Sequence, residues 1–62
     1  MKNFNKSRFE HICNLLANRI TDWKMSSIQD EVADQWDWLV DYRKMDDYSV
    51  CYEICKQFGY QY

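Results

Sequence analysis

Apolar residues recur along the chain at helical spacing, in three blocks separated by polar gaps. In the first block Phe9, Ile12, Cys13, Leu16, Ile20 and Trp23 share one face when each residue turns the chain by about 100°. Ser7-Arg8-Phe9-Glu10 stands at its start. In this S-x-x-E pattern a serine hydroxyl and a glutamate carboxylate each take up a free backbone N–H of the first turn, so the spacing predicts a helix over roughly residues 7–23, beginning near Ser7 or a turn earlier. The second block is Ile28, Val32, Trp36, Leu39 and Tyr42. It follows a similar box, Ser26-Ser27-Ile28-Gln29, with Asp30 and Glu31 near the positive end of the helix dipole. It predicts a helix over 27–44, with Arg43 and Lys44 at the negative end. The third block, Tyr48, Cys51, Ile54, Cys55 and Phe58, predicts a helix over 47–58 capped by Asp46 or Asp47. Gly59 ends it, because glycine accepts the left-handed backbone of a Schellman cap, and Tyr60 can then pack back near Cys55.

The gaps at 24–26 and 45–47 have the length that joins neighbouring antiparallel helices. The pattern predicts an all-α fold, a small three-helix bundle, with residues 1–62 as one helical domain. Composition agrees, since proline is absent and glycine occurs once, leaving few of the residues that punctuate sheets and long loops. No apolar run exceeds three residues, whereas a membrane span needs about 20 and a signal-peptide core about 7 to 15. A soluble protein with no membrane partner is expected. Cys13, Cys51 and Cys55 make an odd number of cysteines, which fits a reducing cytoplasm better than a disulfide scaffold. A chain of 62 residues lies in the range where one core seldom suffices. Its eleven aromatic residues are the expected compensation, and a homodimer is the second route.

Charge supplies the functional lead. Residues 1–25 carry net +3 and residues 26–62 net −5. On the outer side of the second helix Asp30, Asp34, Asp37 and Asp41 follow steps of 4, 3 and 4, forming one acidic stripe about 16 Å long. Like charges at this spacing cost about 0.2 to 0.5 kcal/mol per pair, and only Lys44 after Asp41 offsets one. Trp38 and Met45 flank the stripe off the core face, with Ala33 and Val40 on the other side. An apolar anchor rimmed by acids is a layout of protein-recognition surfaces. The alternative is a solvated face neutralised by Lys6, Arg8 or Arg19 of the first helix.

In size and charge pattern the chain resembles the small acidic helical proteins with which mobile elements block restriction or CRISPR machinery. That resemblance implies an inhibitor that mimics nucleic acid, and it carries no residue across. The expected partner-binding residues are therefore Asp30, Asp34, Asp37, Trp38, Asp41 and Met45. The expected partner is a basic protein, with no direct nucleic acid.

Other chemistries find little support. His11, the one histidine, falls on a polar face with Asn14, Asn18 and Thr21, without a partner that would make it a general base. The three cysteines cannot complete a four-ligand zinc site with it, and free cysteine usually serves as a small core residue. Carboxylates on one helix lack the oxygen cage that Ca²⁺ or Mg²⁺ requires. No enzyme, metal or cofactor is expected. Two alternatives stay open. One is a helix-turn-helix regulator built on the second and third helices, which would have to read DNA with Lys56 and Gln57 against Asp46, Asp47 and Glu53. The other is a structural homodimer joined through Trp38 and Val40.

Overall fold

The computed structural model describes residues 4–61 and has no strand among them. Its first helix, α1 (Lys6–Arg19), opens on Asn5, whose side chain accepts the Arg8 N–H at 3.0 Å. Ser7 therefore lies inside the first turn rather than capping it. The helix also ends four residues before the predicted boundary. The Ile20 N–H still bonds the Leu16 carbonyl at 2.7 Å, but Ile20 itself has left helical geometry. This early exit frees Trp23 to wedge against Phe58 and Tyr60, with ring centroids 4.8 and 6.4 Å away.

Helix α2 (Met25–Trp36) starts on Lys24 without a side-chain cap. The Ser26 box is not used. The Ser27 and Ile28 N–H groups both bond the Lys24 carbonyl instead. The helix then widens into a π turn (Asp37–Tyr42). The Arg43 N–H closes on the Trp38 carbonyl at 3.0 Å, and the Met45 N–H on the Leu39 carbonyl at 3.1 Å. The last helix, α3 (Asp47–Gln57), is capped by Asp46, which accepts the Ser49 N–H at 2.7 Å. It ends in the predicted Schellman motif, with the Tyr60 N–H on the Cys55 carbonyl and the Gly59 N–H on that of Lys56.

These elements form the three-helix bundle, α1 packing against both α2 and α3. The predicted domain reaches residues 1–3 and 62, which lie outside the described residues. The core is Ile12, Cys13, Leu16, Ile20, Ile28, Val32, Trp36, Leu39, Val40, Val50, Cys51, Ile54 and Cys55. Tyr42, Tyr48 and Phe58, expected inside, are exposed, while Val40 is buried. The π turn explains two of these four. Its hydrogen bonds run i→i+5, so each residue turns the chain through less than the α-helical value of about 100°. That slower winding keeps Val40 over the core and carries Trp38 and Tyr42 to the outer face. Gln35 and Gln57 tie α2 to α3 by reciprocal amide hydrogen bonds of 2.7 and 2.8 Å.

Among the described residues two have left-handed backbone, Gly59 (φ 78°) and Lys44 (φ 56°). A side chain there costs roughly 1–2 kcal/mol, against which glycine loses more chain entropy on folding. Lys44→Gly should therefore raise stability by about 0.5–1 kcal/mol, several degrees in Tm. A Cβ at Gly59 would meet no atom within 4 Å, so Gly59→Ala should lose about 1 kcal/mol through the backbone alone. Thermal melts followed by circular dichroism check both signs.

Candidate interaction surface

Asp30, Asp34 and Asp37 all stand exposed along the outer side of α2 and the start of the π turn. Among the described residues no ion pair within 4 Å involves any carboxylate of the stripe. Asp41 differs from the other three. It is half-buried, and its Oδ1 is shielded from solvent without a hydrogen-bond partner among the described residues. Trp38 is exposed by 54% and Tyr42 by 75%. Their rings stack nearly parallel, 12° apart with centroids at 5.1 Å, and the Arg43 guanidinium lies 5.9 Å from the Trp38 centroid. Arg43 is anchored in turn toward Glu53 of α3 at 4.0 Å.

The structure thus brings Asp30, Asp34, Asp37 and Trp38 onto one open face. It places Met45 differently, partly buried against the core, with its carbonyl accepting an Arg8 N–H at 2.6 Å. Tyr42 joins the face in its stead. The periodicity assigned Tyr42 to the core, and nothing local in the sequence announces the π turn that moves it. Val40, named with Trp38 for a dimer interface, is only 5% exposed and offers no surface for one.

The basic residues of α1 face elsewhere in one clear case. Arg8 donates through Nε to Asp47 Oδ1, and His11 Nδ1 stands 2.7 Å from Asp47 Oδ2. His11, expected to be solitary, is therefore part of a latch between α1 and α3. The latch also withdraws Arg8 from the acidic stripe. Burial pushes the Asp47 carboxyl up, but the hydrogen bonds from Arg8 and His11 outweigh it and hold the group below its ordinary value. The Ser49 N–H and hydroxyl hold Asp46 low as well. A carboxylate with a depressed folded pKa stabilises the fold above its unfolded pKa, about 3.9, and loses that contribution as pH falls through the folded value. Melts taken from pH 7 downward should show stability falling below about pH 4. Asp47→Asn should flatten that fall, and an unchanged acid limb would remove the latch from the account.

All three cysteines are buried. Burial first, and the Glu10 carboxylate second, push the Cys13 thiol up to about 11, and burial raises Cys55 too. The Cys13 and Cys55 thiols are thereby held in their protonated form. Among the described residues no three metal-binding side chains converge. Open grooves of about 560 and 420 Å³ flank α2, and neither is lined by histidine or cysteine. Gln57, half of the reading pair a helix-turn-helix would need, is bound to Gln35, and Lys56 sits over the Tyr52 ring and 3.7 Å from Glu53. No described helix is long and apolar enough to cross a membrane. The chain matches no protein-family model, no curated protein and no solved structure.

Proposed function

We propose that this protein is a non-catalytic interaction module, an inhibitor or adaptor, whose α2 face docks on a basic surface of another macromolecule. The observation that carries this reading is the run of exposed carboxylates without ion pairs among the described residues, Asp30, Asp34 and Asp37, continuous with the exposed Trp38–Tyr42 stack. Repulsion along such a row destabilises the helix slightly. A partner's cations would reverse that cost, and the negative potential would speed encounter with a basic surface. A nucleic-acid-binding groove is the basic surface that fits a line of charge best, which makes the protein a DNA mimic of anti-restriction or anti-CRISPR type, acting in the cytoplasm. Its net charge of −2 opposes the phosphate contacts a DNA-binding regulator needs.

Affinity capture at low and at physiological salt tests this reading, followed by elution with duplex DNA. The captured partner should be a nucleic-acid-binding protein, should dissociate as salt rises, and should be displaced by the duplex. Direct, sequence-specific binding of the duplex by this protein would favour the helix-turn-helix reading instead.

A further inference from the structure

The row Asp30, Asp34, Trp38, Tyr42 runs at i, i+4 spacing, acidic in its first half and aromatic in its second. Trp38 is engaged on the protein's own side by Tyr42 and by Arg43, whereas Tyr42, at 75% exposure, keeps a ring face open to solvent. Arg43 shows what this stack accepts, a guanidinium held over an indole ring. Asp34 and Asp37 stand beside the stack and have no cation of their own within 4 Å among the described residues.

Resting on the reading above, we infer that the partner's contact is an arginine-bearing protein segment. At least one of its guanidinium groups stacks on Tyr42 while neighbouring cations meet Asp34 and Asp37. Guanidinium is planar and weakly hydrated, so it loses little on stacking and can still direct its edge N–H groups to carboxylates. Lysine ammonium is a strongly hydrated point charge that answers the aspartates but uses the stack poorly. The acids thus set the sign of the partner, and the rings set its chemistry. A purely apolar anchor would fit a bare Trp38, but it leaves the row of carboxylates beside the stack without a role.

The test uses the full chain and two synthetic peptides of equal length and charge, an arginine–serine repeat and a lysine–serine repeat, titrated by calorimetry at constant salt. The arginine peptide should bind about two- to fivefold more tightly, the range of an exposed cation–π contact. Tyr42→Phe should keep that ratio. Tyr42→Leu retains apolar bulk without a π face, and should bring the ratio to one, chiefly through weaker binding of the arginine peptide. Equal binding of the two peptides by the wild type, or a preference that survives Tyr42→Leu, overturns the arginine inference and leaves the acidic docking face standing. Failure of both peptides to bind overturns the inference and the docking face together. Binding of a single-stranded oligonucleotide that Tyr42→Leu abolishes would reassign the stack to bases rather than guanidinium.

Discussion

Trp36→Ala is expected to leave the chain largely unfolded at 25 °C, whereas Trp36→Phe should remain folded with a similar Tm. Trp36 is 1% exposed, and its ring lies 5.3 Å from that of Phe4 and 5.9 Å from that of Phe9. Truncating a buried tryptophan to alanine costs about 3–5 kcal/mol, and a core in a chain under about 70 residues rarely supplies more than that in total. Phenylalanine keeps most of the ring contacts. It also removes an indole Nε1–H that is buried without a hydrogen-bond partner among the described residues, a condition that costs roughly 1–3 kcal/mol. Loss of volume and relief of the orphaned donor thus oppose each other in the phenylalanine variant. Far-ultraviolet circular dichroism with a urea titration separates the two substitutions, and an alanine variant that melts within a few degrees of wild type would show that the aromatic cluster is not the keystone of the core.

Trp36 was legible as a core position because it lies where α-helical periodicity still holds. The same rule failed six residues later. At Tyr42 the backbone has widened, and a periodicity argument assumes constant rotation per residue. Capping was legible at Gly59, the one glycine of the chain, and was narrowed to Asp46 or Asp47 at the start of α3, where Asp46 takes the Ser49 N–H. It misled where several competed. Asn5 captures the Arg8 N–H that would have been inside the Ser7 box, and Lys24 opens α2 without any side chain. The acidic stripe needed only the spacing of α2, so the exposed positions of Asp30, Asp34 and Asp37 were legible in the sequence. The Arg8–His11–Asp47 latch was not, because its partners are 36 or more residues apart and obey no local spacing. The partly buried packing of Met45 was missed for the same kind of reason, since it depends on where the chain turns at Lys44.

Replacing Asp34 and Asp37 together by lysine is expected to abolish partner binding while leaving the helix content unchanged. Both side chains are exposed and neither forms an ion pair among the described residues, so their replacement breaks no ion pair among those residues. Relief of repulsion along the row should hold stability level or raise it by a few tenths of a kcal/mol, about the size of one i, i+4 charge interaction. At the interface the change is far larger. Two attractions become two repulsions, and like-charge juxtaposition costs several kcal/mol, about a hundredfold or more in affinity, much of it in association rate at low salt. Trp38→Ala should act on the other rate constant. It removes a ring that Tyr42 and Arg43 hold in place, so dissociation should quicken with little change in salt dependence. Stopped-flow or surface-based kinetics at two salt concentrations read both effects. Binding of the double variant at wild-type strength would make the stripe a solvated face, and unfolding of the variant would mean that the aspartates are paired within the fold.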